Sequence, residues 1–307
     1  MLYRSLGKTG LRVSEIGFGC ASYWGMKVFD ETAAIRLIHA AVDHGVTLFD
    51  TGASYSGGNA EPRLGKALAS VNNKHELVIA TKAGSYTDDQ GKWREDFSSP
   101  GVRRTVEASL TRLGLDAIPL LHLHGPEIAN ITDDLLDTLT RLREEGKVLH
   151  LSVNSFDTNV IEHVMTLPVF GAMMIDYNIL RPEREAMVAR LAALNFGIMA
   201  GMALGGGLYR RDRFRIRGIQ DAWYIARAWK NYRSDIRRGR NLHFLAREQR
   251  LTAPEIALAW VLRKPEIACA VPGTTRMAHL LANLKVSGET LDDDLLQRIS
   301  KAQLNFS

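Results

Sequence analysis

Short, continuous apolar runs alternate along the chain with longer stretches whose apolar residues recur every three or four positions. Runs of strand length occur at 15–20, 47–50, 77–82, 118–124, 148–153, 172–176, 197–202 and 268–271, eight in all. Most are apolar at successive rather than alternate positions, the pattern of parallel strands covered on both faces. The stretches between them carry helix punctuation. Asp30-Glu31-Thr32 precedes a periodic run ending at Gly45, and Thr132-Asp133-Asp134 opens one ending at Gly146. Ser99-Pro100 opens a helix with apolar Val102, Val106, Leu110 and Leu113, which Gly114 closes. Thr252-Ala253-Pro254-Glu255 combines an N-cap, an early proline and a first-turn acid.

Eight strand–helix alternations predict an α/β chain folded as a (β/α)8 TIM barrel, one domain over 1–307. Long active-site loops are expected at the C-terminal rim and extra helices near the C-terminus. The rival, a doubly wound open sheet, lacks the Gly-x-Gly-x-x-Gly turn after its first strand. Two segments, 84–99 and 209–240, are longer than ordinary connections and are expected to serve function.

Composition changes this picture only locally. The net charge is +5, yet 209–240 alone holds eleven Arg and Lys against three Asp, so the remainder is net acidic. A surface basic throughout, as nucleic-acid or membrane binding would favour, is excluded. Cys20 and Cys269 are the two cysteines, far apart in apolar surroundings, which rules out a disulfide framework or paired-cysteine metal site. The N-terminus lacks a signal-peptide core. The longest apolar stretch, 191–209, is broken by Asn195 and glycines, so no membrane span is expected. A cytoplasmic protein with no nucleic-acid or membrane partner is the expectation; the pattern carries no signal for an oligomeric state.

Candidate chemistry collects at one end of the barrel. Asp50 ends the second predicted strand, Tyr55 lies in the loop behind it, Lys82 ends the third strand and His124 the fourth. Each alone reads as a packing or surface group; together at the predicted catalytic rim they make a proton-donor site. A phenol of pKa about 10 is a weak acid near neutrality. A Lys82 ammonium beside Tyr55 would lower that pKa, Asp50 would hold Lys82 charged, and His124 would donate to a carbonyl oxygen.

At this point the chain resembles the aldo-keto reductase superfamily over nearly its whole length. The resemblance rests on Tyr3-Arg4-x-Leu6-Gly7-x-Thr9-Gly10-Leu11-x-Val13-Ser14, Phe49-Asp50-Thr51-x-x-x-Tyr55, Glu61-x-x-Leu64-Gly65-x-Ala67-Leu68 and Ala80-Thr81-Lys82. It continues through Ser109-Leu110-x-Arg112-Leu113-x-x-Asp116, Leu123-His124-x-Pro126, Glu144-Glu145-Gly146-Lys147-Val148, Ala259-Trp260-Val261-Leu262 and Val271-Pro272-Gly273-Thr274-Thr275-Arg276. It implies a (β/α)8 barrel and NADPH-dependent interconversion of a carbonyl and an alcohol. Tyr55 would be the general acid, Lys82 and Asp50 its tuning pair, and His124 the substrate-orienting residue. His122, on the same strand face, competes for the last role until the Leu-His-x-Pro pattern selects His124.

The resemblance also implies the cofactor contacts. Ala203 and Leu204-Gly205-Gly206-Gly207-Leu208 match the pyrophosphate-covering loop, with Arg210 beside it. Gly273-Thr274-Thr275-Arg276 opens a helix reaching Asn283, a ready anion site. Arg276 there favours NADPH/NADP+ over NADH; Asn283 matches the adenine contact, and His279 stands where Gln or Arg is usual. Three nicotinamide positions depart from the pattern: Asn154-Ser155 transposes the usual pair, Met174 replaces Gln, and Gly201 replaces the stacking aromatic. Tyr177, Trp223 and Tyr224 are candidates to supply the missing ring.

Tyr23, Trp24 and Tyr86 are expected to line the substrate pocket, and Gly125, where a bulky Trp is common, would widen it for a bulky, sugar-like or polycyclic carbonyl. Of the basic segment, Arg210 and Arg211 would steer cofactor phosphates. Arg213, Arg215 and Arg217 would meet an anionic substrate, and 221–240 would form a helix with a solvated basic face. Two other readings stay open: an NADP(H)-binding regulatory subunit of the channel type, with little turnover, and a lyase using Lys82 as a Schiff-base nucleophile.

Overall fold

The computed structural model describes residues 1–216 and 218–306, with the side chains at 213, 219 and 220 left aside. Its main sheet comprises β1 (Phe18–Gly19), β2 (Leu48–Asp50), β3 (Val78–Ala83), β4 (Ile118–His124), β5 (Val148–Asn154), β6 (Ala172–Ile175), β7 (Gly197–Ala200) and β8 (Ile267–Ala270). Each lies inside, or within one residue of, an expected run. Neighbours pair in parallel and in chain order. The ring closes between β8 and β1 through a parallel bridge from Ile16 to Ala270. There Gly17 N donates to Ala270 O at 2.8 Å and Gly19 N to Pro272 O at 3.0 Å. A (β/α)8 barrel results.

The helices are α1 (Glu31–Asp43), α2 (Ala60–Leu68), α3 (Ser99–Leu113), α4 (Asp133–Glu144), α5 (Thr158–Met165), α6 (Glu185–Ala193), α7 (Ile219–Asn231), α8 (Arg233–Asn241), α9 (Ala253–Leu262), α10 (Met277–Lys285) and α11 (Asp293–Gln303). Their starts follow the side chains that can satisfy free backbone N–H groups. Asp30, Ser98 and Thr132 accept from Ala33, Gly101 and Leu135, and Thr252 with Glu255 forms a capping box; such a cap is worth about 1 kcal/mol. Gly114 ends α3 at φ 64°, a left-handed conformation that glycine adopts without penalty. Among the described residues no helix is long and apolar enough to cross a membrane.

Apolar residues form two layers. Phe49, Ile79, Leu121, Leu123, Val153 and Ile175 face outward against the helices. Leu48, Val78, Ala80, Leu120, Ala172 and Met199 fill the lumen, and Leu6 and Val13 pack with them. Val13 lies in, and Leu6 directly follows a strand of, a hairpin of Tyr3–Ser5 and Arg12–Ser14 that the hydrophobic pattern does not announce. It covers the amino-terminal end of the barrel, where a Cβ on Gly7 would stand 2.1 Å from Gly197 N.

Two sequence expectations need correction. Segment 84–99 is largely an antiparallel hairpin, Ser85–Thr87 with Trp93–Glu95, not a loop. Its turn is built by Asp88, whose Oδ1 accepts from the Gln90 and Lys92 amides at 3.1 and 2.8 Å. The helix expected over 221–240 is two, α7 and α8, separated at Tyr232 (φ −134°, ψ 39°). Its basic face is solvated at Lys230, Arg233, Arg237 and Arg240, as expected, while other charges of the segment turn to the barrel. Asp235 is buried and pairs with Arg181, and Arg238 Nη1 bonds Leu180 O and Glu183, so these charges fasten the segment to the barrel. Arg217 lies outside the described residues, as does the Arg213 side chain.

Candidate active site

Strand alternation places Asp50, Lys82, His122, His124, Ser152 and Asn154 on the lumen side, at the carboxyl ends of β2 to β5. The register sets Lys82 opposite His122, and His122 opposite Ser152. The same strands are apolar lower down, at Leu48, Val78 and Leu120, so the lumen turns from apolar to polar toward the rim.

Lys82 is wholly buried and donates from Nζ to Asp50 Oδ1 at 2.5 Å and to Thr51 O at 2.7 Å. Nζ also lies 4.6 Å from the Tyr55 ring centroid, and the Tyr55 and His124 rings meet edge-on at 5.4 Å. The four predicted side chains are thus one cluster. Burial alone would lower the Lys82 pKa, but the charge and hydrogen bond of Asp50, with Tyr55, hold it above its ordinary value. Burial pushes Asp50 up against the pull of Lys82. The expected lowering of the Tyr55 pKa is corrected: burial of the hydroxyl end raises it, outweighing the pull of Lys82 and Arg227.

His124 is held by two hydroxyls, those of Ser85 and Ser54. Ser85 Oγ lies 2.5 Å from His124 Nδ1, with Ser54 Oγ at 3.1 Å from Ser85 Oγ. Burial, then Lys82, drops the His124 pKa to about 3, leaving a neutral imidazole. The signal was present, since Ser54 adjoins Tyr55 and Ser85 follows Lys82 by three residues, but no periodicity joins them. Behind Lys82, Thr81 Oγ1 donates to buried Glu61 at 2.5 Å, and Arg112 Nε holds the other Glu61 oxygen at 2.7 Å.

Around the ring the polar groups are unmatched. His122 Nδ1 and Nε2, Ser152 Oγ and Asn154 Nδ2 are buried with no hydrogen-bonding partner among the described residues. Ser155 Oγ accepts from the Asp157 amide at 3.2 Å. Met174 is buried beside Gly201, where an added Cβ would stand 3.1 Å from Met174 Cγ and 3.2 Å from Sδ. The two departures are therefore coupled: thioether occupies the space that a side chain at 201 would enter.

Gly205, Gly206 and Gly207 form a tight turn, all at positive φ. A Cβ at Gly205 would meet Leu180 Cδ1 at 2.9 Å. Ala203 and Leu208 are buried in the core and Leu204 packs against it, so what the turn exposes is chiefly backbone. Arg210 bonds Asp212 through Nε at 3.0 Å. Exposed Arg276 precedes α10, with its amide donating to Thr274 Oγ1 at 3.1 Å; Gly273 and Thr275 complete that turn, and Asn283 is buried on α10. Burial, then the charges of Arg276 and Arg210, lower the His279 pKa.

The expected pocket-lining residues divide. Trp24 is a correction: it is 1% exposed, packs edge-on against Phe18 and bonds Ala34 O through Nε1, so it is core. Tyr177 is likewise buried, 5.1 Å from the Trp260 ring and bonded by Arg263, and cannot supply a stacking ring. Tyr23 packs on Phe29 at 6.4 Å, Tyr86 stands on the rim hairpin, and Gly125 is exposed with nothing within 4 Å of an added Cβ. Arg227 went unrecognised in the sequence, hidden in the basic count of its segment. On α7 it reaches Ser22 Oγ at 3.1 Å, with Trp223 and Tyr224 in edge-on contact beside it.

Comparison with known proteins agrees over the whole barrel. The profile of the Aldo/keto reductase family matches residues 15–303. The uncharacterized oxidoreductase YqkF of Bacillus subtilis is 25% identical over 94% of this chain and 91% of its own length. Probable aldo-keto reductase 1 of Glycine max is 26% identical over 97% and 87%. The holo form of aldo-keto reductase AKR11C1 from Bacillus halodurans superposes with a TM-score of 0.82 at 27% identity, covering 98% of this chain and 96% of that one.

Proposed function

The chain belongs to the aldo/keto reductase family, and from that premise we propose that it interconverts a carbonyl compound and an alcohol with NADP(H), Tyr55 acting as general acid and base. The observation that carries this reading is Lys82, fixed 2.5 Å from Asp50 and lying against the Tyr55 ring, with neutral His124 beside both. In reduction the neutral phenol gives its proton to the carbonyl oxygen. The phenolate left behind is stabilised by the Lys82 ammonium, which Asp50 and Thr51 O hold in place. With the Ser85 hydroxyl donating to Nδ1, the His124 proton resides on Nε2, which donates to the same carbonyl oxygen. Oxidation of the alcohol runs these transfers backwards.

The dinucleotide, when bound, supplies or accepts the hydride at the carbonyl carbon. Its fit is supported by the unpartnered Asn154 Nδ2, a donor suited to a carboxamide oxygen, with Ser155 adjacent and the Met174 thioether packed beside Gly201. The Gly205–Gly207 turn, flanked by Ala203, Leu204 and Leu208, and Arg210 would hold the pyrophosphate. Gly273, Thr274, Thr275, Arg276 and His279 would take a 2′-phosphate, and Asn283 the adenine. Open space at Gly125, with Tyr23 and Tyr86 as further lining, favours a bulky carbonyl over a small aldehyde. The buried free thiols Cys20 and Cys269 suit a reducing, cytoplasmic setting.

A screen of sugars, steroids and natural-product ketones with NADP(H) and NAD(H), repeated on Tyr55→Phe, tests the reading. Tyr55→Phe should lose about 10³-fold in turnover while still quenching on NADPH addition. Turnover equal to the parent's would overturn the role of Tyr55, and full activity with NAD(H) alone the role of Arg276.

A further inference from the structure

We infer that Arg227 recognises the substrate, and that the carbonyl compounds taken at this mouth carry an oxyanion group, a carboxylate or phosphate, on the part remote from the reacting carbon. The inference rests on the carbonyl-reducing reading above and names its substrate class.

Arg227 is half-buried on α7 and reaches across the rim to the loop after β1, where Nη1 donates to Ser22 Oγ at 3.1 Å. Ser22 O in turn accepts from Ser56 Oγ at 2.6 Å, and Ser56 follows Tyr55 directly. The guanidinium is thereby anchored to the loop that carries the proton donor. Its charge acts on the Tyr55 phenol, which agrees with that placement.

What sets Arg227 apart is that it is half-buried and tied to the loop beside Tyr55 without an anionic partner. The other half-buried arginines near it are matched, Arg210 with Asp212, Arg238 with Glu183 and Arg181 with Asp235, whereas Arg211, Arg215, Arg237 and Arg240 are exposed to water. Among the described residues no carboxylate lies within ion-pair distance of Arg227. Ser22 uses one of the five N–H donors that a guanidinium presents in a planar fork. Trp223, one turn earlier on the same face of α7, lies 5.4 Å from the guanidinium carbon and is itself packed against Tyr224. A cation with free donors, aromatic surface beside it and a general acid close by together fit an anionic carbonyl compound with an apolar or aromatic body.

The dinucleotide phosphates are the competing occupant, and the placement of charges separates the two. His279 feels Arg276 and Arg210, whereas Tyr55 feels Arg227. Arg276 stands at the start of α10, whereas Arg227 is hydrogen-bonded into the loop beside Tyr55, where Lys82 already lies against the ring.

The test compares 4-carboxybenzaldehyde with its neutral methyl ester as substrates of the parent, Arg227→Lys and Arg227→Met, with NADPH. In parallel, 4-(hydroxymethyl)benzoate and its methyl ester are titrated into the NADP+-bound proteins by tryptophan fluorescence. A charge-assisted contact predicts a roughly 10- to 100-fold preference for the acid in the parent, reduced in Arg227→Lys and nearly abolished in Arg227→Met. Equal handling of acid and ester by the parent, or a preference that survives Arg227→Met, overturns the inference. So does a loss of NADPH affinity in Arg227→Met that matches the loss for the acid. Discrimination in the titration without turnover of either aldehyde would uphold the anion site and reject the reductase reading. Turnover without discrimination would do the reverse.

Discussion

At the upper ends of β2, β3 and β4 the polar side chains complete one another, except for His122 on β4, whose ring nitrogens have no hydrogen-bonding partner among the described residues. Lys82 satisfies Asp50, Thr51 O holds Lys82, and Ser85 with Ser54 holds His124. On β5 to β7 the same ring of strands presents Ser152 and Asn154 with unmatched polar atoms, then Met174 against bare Gly201. Both arcs are buried, so the difference is one of purpose and not of solvent. A paired arc keeps charges fixed in a dry site, as proton transfer requires. An unpaired buried donor costs about 1–3 kcal/mol, and such an arc suits the reception of something from outside.

The sharpest way to break the paired arc is Lys82→Met, which strands Asp50 in the barrel. About 3–5 kcal/mol of stability should be lost in urea unfolding, together with at least about 10³-fold of turnover. Adding Asp50→Asn should return much of the stability and none of the activity. A Lys82→Met protein as stable as the parent would show that the pair is not buried as described.

Acid attacks the same arc through histidine. His124 titrates at about 3 in the folded chain and near 6.5 unfolded. Between those values the unfolded state binds more protons, so stability rises with pH and is lost as pH falls from about 6.5 toward 3. His122, lowered by burial, Lys82 and His124, acts in the same direction. Because His124 is partly open, about 3 kcal/mol is a reasonable span for it. Denaturation midpoints at pH 7 and 4.5 should diverge less in His122→Leu than in the parent; an equal divergence would remove His122 from the balance.

On the receiving arc, Gly201→Phe should force Met174 aside and cost about 1–3 kcal/mol, measured by thermal unfolding. Met174→Ala in the same chain should relieve most of it, and additive losses would show that the two positions are independent. The smallest expected effect is at the edge of the paired arc. Ser85→Ala frees His124 Nδ1 and should lower kcat/KM about 2- to 10-fold, with little change in the melting temperature. A change confined to stability would make Ser85 a packing residue alone.

Local signals determined most of the architecture of this protein. Continuous apolar runs mark the eight barrel strands because strands covered on both faces need apolar residues at successive positions. Asp30, Ser98, Thr132 and Thr252 mark helix starts because capping is a contact between close neighbours in sequence. The positions of Asp50, Lys82 and His124 at strand ends were legible for the same reason. The tertiary structure alone decided contacts between distant segments: the N-terminal hairpin under the barrel, Ser85 on His124, Met174 filling the space at Gly201, Trp24 turned into the core and Arg227 on Ser22. It also reversed the shift expected for Tyr55, because desolvation depends on how much of the whole fold surrounds the phenol, which no local pattern of residues encodes.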